Sequence, residues 1–476
     1  MDKAKVIAIL EAKKQTFIEA SDQIWETPEL RFATNQSVEQ HYQVLMSEGF
    51  HIKKGVANMK NAYVASYGTG SPVIGILGEY DALSNLSQVA DLAEEKAVEI
   101  GGNGHACGHN LLGIGAIAGA VGVKEYLEET GQSGTIKLYG CPAEEGGCGK
   151  SYLARAGLFD DLDIALSWHP MDKTAAWGSS SLAVYHVDYH FKGTAAHAAG
   201  APELGRSALD AAELMNIGVQ YLREHIIDEA RIHYAYKDTG GRSPNVVQAS
   251  STLFYYIRAP KIEQAKDIFE RVNRIAEGAA LMTDTKLSIH IDSACYNYIP
   301  NKTVTTNLHE NLKLLTPLSF TEEEYAYEQK YFDTVSNQVK ADIFDYVHAA
   351  FPDLDDEQIN QLANEPISSP LYPLTFSGKA IGSTDVGDVS WIVPTGQVFI
   401  ACEPHGTPAH SWQWVANGKS SVAHKGFMTA GKAMALSAID LINNPELIKQ
   451  AKKDHFEFLQ GRSYVCAIPD DVMPEE

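Results

Sequence analysis

The chain has no apolar run approaching the roughly twenty residues that a membrane-spanning helix needs. Its first residues, MDKAKVIAILEAKKQ, interleave charged and apolar side chains at helical spacing and lack the separate apolar block of a signal peptide, which points to the cytoplasm. Cysteine is scarce. Cys107, Cys141, Cys148, Cys295, Cys402 and Cys466 are spread too thinly over 476 residues for a disulfide scaffold, leaving reduced thiols or metal ligands. Positive charge is also in deficit: 38 Lys and Arg face 61 Asp and Glu, a formal net charge of -23 that opposes binding to nucleic acid or to anionic membrane surfaces. Internal repeats and low-complexity tracts are missing too.

What is present is enough chain for two domains, each able to bury a core. Periodicity predicts amphipathic helices over Lys3–Trp25 and Ser37–Ser47, the second closed at Gly49. Strands follow at 62–67 and 73–77, the latter a continuous apolar run of the kind covered on both faces. A Gly- and Ala-rich helix over 110–126 and strands at 136–141, 164–168 and 398–402 complete an α/β pattern with a mostly parallel sheet. Between Val184 and Ala294 the rhythm becomes β-α-β-β-α-β. The α/β pattern then resumes with GKAIGSTDVGDVSWIVP and a last helix over 426–441, so this unit is an insertion. The acidic stretch 321–364 is expected to add a pair of helices without an assigned role.

Five short segments place metal-ligand residue types just after a strand or at a helix start, where open parallel sheets bind ligands. They are GEYDAL (Glu79, Asp81), GHACGHN (Cys107, His109), CPAEEGG (Glu144, Glu145), SWHP (His169) and GTPAHSW (His410). Cys107 and His109 at a helix start offer two adjacent ligands, the helix dipole favouring a thiolate; a buried thiol with a capping histidine is the plainer alternative. Glu144 and Glu145 after a buried strand can divide the work, one binding metal and one holding a proton, whereas most isolated acidic pairs are solvated. His169 is equally readable as a core histidine, and His405 competes with His410. Asp81 reads as a carboxylate orienting a ligand histidine, or as a helix cap.

Taken together and in order, HACGHN, CPAEEGG, GTAAHAAGAPELGRSALDA and GTPAHSWQWVANGKSSVAHKG resemble the co-catalytic metallopeptidase family of aminoacylases, glutamate carboxypeptidases and amidohydrolases of hippurate and indole-acetyl-amino acids. Its branch acting on p-aminobenzoyl-glutamate is the most similar. The resemblance implies a catalytic α/β domain in two parts, 1–183 and 297–476, around an inserted ferredoxin-like α+β lid and dimerisation domain at 184–296. It implies two divalent ions, Mn2+ or Zn2+, bridged by Cys107 and held by His109, Glu145, His169 and His410. Glu144 falls at the general base and Asp81 at the carboxylate steadying a histidine. His197 matches an insert histidine that reaches the substrate carbonyl, often across a dimer interface, and Asn245 and Arg258 match positions that recognise the substrate carboxylate. Two departures stand out: Cys148 replaces a usual glycine, and Glu79-Tyr80 replaces other residues, leaving Glu79 without a role.

The implied reaction is metal-assisted hydrolysis of an N-acyl amino acid or dipeptide, p-aminobenzoyl-glutamate-like substrates favoured, by a homodimer or a hetero-oligomer. A partner subunit that keeps the fold with little activity is the alternative. A zinc deaminase reading of HACGH fails because no P-C-x-x-C follows. Trp168, Tyr255, Tyr256 and Trp412 are candidates for an aromatic acyl pocket, or for core.

Overall fold

The run VIGILG is apolar at every position because the strand it forms is covered on both faces. This strand, β3 (Val73–Glu79), sits inside a seven-stranded sheet with β1 (His51–Lys54), β2 (Tyr63–Thr69), β4 (Gly134–Cys141), β5 (Ile164–Met171), β6 (Ala175–Ala176) and β11 (Thr395–Ala401), in the order β1-β2-β4-β3-β5-β11-β6. The computed structural model describes residues 1–378 and 382–474. The four central strands, β4, β3, β5 and β11, run parallel. Antiparallel β1, β2 and β6 finish the two edges.

Small residues let the covering helices come close. The helix His109–Thr130 is buried along most of its length against the helices Lys3–Glu26 and Ser421–Asn443. A Cβ at Gly431 would stand 2.7 Å from the Ala118 methyl, and one at Gly122 would stand 2.7 Å from that of Ala435. Gly115 accommodates the indole of Trp168, whose Nε1 donates to the Leu112 carbonyl at 2.8 Å. This tight contact fixes the helix, and therefore its first residue, His109, relative to the sheet.

A second, wholly antiparallel sheet carries β7 (Ala183–Lys192), β8 (Arg231–Asp238), β9 (Ser250–Ala259) and β10 (Lys286–Cys295) in the order β10-β7-β9-β8. The helices Ala208–Leu222 and Ile262–Thr283 pack against β7 and β9. Chain order and strand order together make this a ferredoxin-like α+β unit beside the α/β sheet.

Three elements depart from expectation. The acidic stretch forms three helices, Glu322–Phe332, Asn337–Ala350 and Asp356–Ala363, because Thr321, Ser336 and Asp355 each cap a separate start. They close a small core of their own around Phe332, Ile343, Val347, Ile359 and Tyr372. The last predicted helix extends over Ser421–Asn443, and Asn444 then caps a further helix, Pro445–Leu459. In GKAIGSTDVGDVSWIVP, residues 379–381 lie outside those described, and Val386–Ser390 is a short helix before β11. Among the described residues no helix is long and apolar enough to cross a membrane.

Candidate metal centre

The carboxyl ends of the four parallel strands deliver the chemistry. Glu79 ends β3, with Asp81 two residues on. The chain returns at Cys107 and, through Gly108 in the left-handed region (φ 66°), starts the helix at His109. After β4, Ala143 (φ 63°) turns the backbone into a single helical turn, Glu144–Gly147. His169 lies near the end of β5, and His410 (φ 55°) lies in the loop after β11. Strained backbone at Ala143 and His410 marks places where the surroundings, not local preference, set the conformation.

These segments bring Cys107, His109 and His169 together, each offering a ligand atom within 4.8 Å of the others; Cys107, Glu145 and His410 do likewise, as do Glu79, His109 and Glu144. Cys107 Sγ is 3.3 Å from His169 Nε2. Glu145 Oε2 is 3.6 Å from His410 Nε2, and Glu145 Oε1 is 3.9 Å from His109 Nε2. Glu144 Oε2 lies 4.0 Å from the same nitrogen.

The atoms turned away from the cluster are spoken for. His169 Nδ1 bonds the Pro170 carbonyl at 2.6 Å, so Nε2 is its free nitrogen. Asp81 begins no helix and so is not a cap; its Oδ1 meets His109 Nδ1 at 3.3 Å and its Oδ2 accepts from the Glu145 backbone N–H at 3.0 Å. The atoms turned inward are not satisfied. His109 Nε2 and Glu145 Oε1 are buried without a hydrogen-bond partner. Orphaned buried polar atoms of this kind are costly unless something binds them. One soft thiolate, three imidazoles and clustered carboxylates match the donor preferences of divalent transition metals, so the residues fit such ions.

Crowding of acids shows in their proton affinities. Burial pushes Glu144 well above the usual carboxylate range, and the charges of Glu79 and Glu145 add to this. Burial also raises Glu145, partly offset by His109 and His410. The Cys107 thiol is raised by burial and by Glu145 and Glu144, so a cation is needed to hold it as thiolate. Burial opposes charge on His109 but is outweighed by Asp81, Glu79 and Glu145, which push it up to about 10. His169 is lowered to about 4 by burial and the charge of His109.

Sequence reasoning left Glu79 without a role and passed over two partners. Lys150 Nζ, fully buried, lies 2.5 Å from Glu79 Oε1 and 2.6 Å from Asp385 Oδ1. A charged residue closing a fully buried apolar strand was the available signal for Glu79.

His197, Asn245 and Arg258 lie on the ferredoxin-like unit, and among the described residues no hydrogen bond or ion pair joins them to the cluster. His197 is exposed, its Nδ1 accepting from Ala199 and Gly200 N–H groups at 3.2 and 3.0 Å. The Asn245 carbonyl accepts from Ala198 N–H in the same loop at 2.9 Å. Arg258 donates to Ser383 Oγ at 2.8 Å. His105 bonds the Ile24 carbonyl and His405 is buried outside the metal-ligand groups. Of the aromatic candidates, Trp168 and Tyr255 are core, Tyr256 stacks on His186 and Trp412 lies beside Tyr331. Cys148 adopts φ 52°, the region that favours glycine.

Residues 75–414 match the peptidase family M20/M25/M40. The chain is 42% identical over 466 residues to one of the subunits of p-aminobenzoyl-glutamate hydrolase of Escherichia coli, covering 98% of this chain and 97% of that protein. Xaa-Arg dipeptidase of Mus musculus is 31% identical over 386 residues, covering 80% of this chain and 73% of its own length. The fold is similar to that of an aminobenzoyl-glutamate utilization protein from Klebsiella pneumoniae, with a TM-score of 0.60 at 17% identity over 90% of this chain and 97% of that one. With the family matched over most of the chain and a relative aligned nearly end to end, this protein belongs to peptidase family M20/M25/M40.

Proposed function

We propose that the chain is a metal-dependent amidohydrolase that cleaves the amide bond of N-acyl amino acids or dipeptides, p-aminobenzoyl-glutamate-like substrates first among them. The observation that carries this reading is the pair of trios that share Cys107, one with His109 and His169 and the other with Glu145 and His410, with Glu144 beside them. The 42% identity to the Escherichia coli protein supports the substrate class. Cys107, as bridge, and the four other side chains would hold two divalent ions, Mn2+ or Zn2+. Bound there, such ions polarise an amide carbonyl and make water more acidic.

The chain's own residues supply the rest. Glu144, half-buried and next to the cluster, takes a proton from the attacking water and passes it to the amide nitrogen as the C–N bond breaks, releasing carboxylic acid and amine. Asp81 holds His109 with Nε2 inward. His197 donates to the carbonyl oxygen as it becomes an oxyanion, arriving from the second chain of a dimer. Asn245 and Arg258 bind the amino-acid carboxylate, the guanidinium fork suiting it bidentately. A cytoplasmic location is part of the reading and is supported by the free state of all six cysteines.

The Escherichia coli relative is named as a subunit of its enzyme, which favours one further reading: a partner chain of low activity in a hetero-oligomer. Incubating the isolated chain, loaded with Mn2+ or Zn2+, with a panel of N-acyl amino acids and dipeptides separates the two. Turnover of p-aminobenzoyl-glutamate is expected; metal binding without turnover of any panel member transfers the assignment to the partner-chain reading.

A further inference from the structure

Glu79 is almost wholly buried at the end of β3, and its two oxygens face different groups. Oε1 accepts from Lys150 Nζ at 2.5 Å. Oε2 lies 3.3 Å from His109 Nε2.

Neutralising Lys150 does not require Glu79. Asp385, also fully buried, already binds that residue twice: Oδ1 to the ammonium at 2.6 Å and Oδ2 to its backbone N–H at 2.8 Å. Two carboxylates around one ammonium leave this group with an excess negative charge in the protein interior. Uncompensated buried charge is strongly destabilising, so positive charge is called for on the free side of Glu79, either the proton of an imidazolium at His109 or a metal ion in that proton's place.

On that free side stands an imidazole nitrogen with nothing bound to it. His109 is buried completely, its Nδ1 is engaged by Asp81, and its Nε2 has no hydrogen-bond partner. With metal–ligand bonds of about 2.0–2.2 Å, a nitrogen and an oxygen on one ion at right to tetrahedral angles stand about 3.0–3.5 Å apart. The 3.3 Å between Glu79 Oε2 and His109 Nε2 falls within that range.

We propose that Glu79 is itself a metal ligand, joining His109 on one ion in addition to Cys107, Glu145, His169 and His410, with Lys150 and Asp385 as the residues that position it. Lys150 occupies Oε1 and leaves Oε2 for the ion. Asp385 holds Lys150 from a loop distant in sequence, so the short helix Val386–Ser390 beside it is tied to the centre. The proposal rests on the two-metal reading above.

The test is Mn2+ binding to the full chain, followed by the electron paramagnetic resonance signal of the free ion, together with the visible absorption of the Co2+-substituted protein. The unmodified chain is expected to take up two ions. Glu79→Ala should weaken one of them by more than the about 10- to 100-fold that loss of an outer residue costs, and should shift the Co2+ bands. A second variant, Glu79→Gln, keeps the shape of the side chain and leaves the Lys150–Asp385 pair balanced, which guards against misfolding from a cavity. It too should weaken one ion. If Glu79→Gln binds two Mn2+ with unchanged affinity and an unchanged Co2+ spectrum, Glu79 is only a counter-ion of Lys150 and the proposal is overturned. An unmodified chain that takes up no Mn2+ or Co2+ would instead overturn the two-metal reading on which it rests.

Discussion

Asp81 Oδ1 lies 3.3 Å from His109 Nδ1, and this contact decides which nitrogen of the imidazole faces the cluster. The second oxygen of Asp81 holds the Glu145 backbone, so one carboxylate orients two candidate ligands. Asp81→Asn replaces an acceptor by a group that can donate, which favours the opposite tautomer. Metal affinity should fall by about 10- to 100-fold, measured by competition with a chelator of known affinity. Unchanged affinity would mean that His109 does not act through Nε2.

Glu144 and Glu145 share a helical turn but differ in what they meet. Glu145 reaches both His109 and His410, whereas Glu144 stands 4.0 Å from His109 Nε2. Glu144→Gln should leave two ions bound while lowering turnover by about 100- to 10,000-fold, the contribution of a positioned acid–base group. Glu145→Gln should lower metal affinity instead. Metal analysis beside steady-state kinetics distinguishes these outcomes, and the opposite pattern would exchange the two roles.

The two variants draw on residues that could be read directly from the chain. The convergence of Cys107, His109, Glu145, His169 and His410 was legible because each follows a strand or opens a helix, and strand ends converge in a parallel sheet. The β-α-β-β-α-β order was equally legible, since alternation and helical spacing are local signals. The Glu79–Lys150–Asp385 group was not. Lys150 and Asp385 are 235 residues apart, and a buried ion pair leaves no periodicity in either flank. Nor did the three helices between 322 and 363 announce their use, because their partners are distant in sequence: the first meets Trp412, Ser421 and Lys425, and the second sets Val339 and Ile343 against the loop at Gly406.

That loop makes a prediction of its own. Gly406 has φ 76°, and a Cβ there would stand 2.6 Å from Ile343 Cδ1 and 3.0 Å from Val339 Cγ1. Gly406→Ala should destabilise the chain by about 1–3 kcal/mol through backbone strain. Ile343→Ala removes the nearest clash but costs about 2–5 kcal/mol of its own as a buried side chain is lost, so urea unfolding should compare the double variant with Ile343→Ala alone. In that background Gly406→Ala should cost less, though not nothing, because the φ angle remains. A Gly406→Ala effect that vanishes in that background would assign the whole of it to the side-chain contact.

Acid should destabilise the fold by a separate route. His41 and His105 are both fully buried, and burial lowers each to about 3 from an ordinary value near 6.5. The unfolded chain therefore binds more protons between those limits, and stability rises with pH across that window. Above about pH 6.5 the contribution is complete; below it each histidine costs about 1.4 kcal/mol per pH unit. His41→Gln should flatten the slope of unfolding free energy against pH between 4 and 6 relative to the unmodified chain. An unchanged slope would show that other groups govern acid unfolding.

His197 offers the most demanding prediction, because the chain that carries it does not bring it to its own cluster among the described contacts. Its Nδ1 accepts from two backbone N–H groups, which leaves the proton on Nε2 and makes that nitrogen a donor. A histidine presenting an N–H from an exposed loop suits an oxyanion, and twofold dimers are the commonest homo-oligomers that could deliver a residue in trans. Loss of one such donor typically costs about 100- to 1,000-fold in rate, so His197→Ala should fall by that factor with metal content unchanged. Mixing His197→Ala with Glu144→Gln, each nearly inactive, tests the geometry. After subunit exchange each mixed dimer holds one site with both residues intact, and up to about half the normal rate per mixed dimer should return. Labelled chains can establish that exchange has occurred. Mixtures that exchange yet stay inactive would place His197 outside the partner's site.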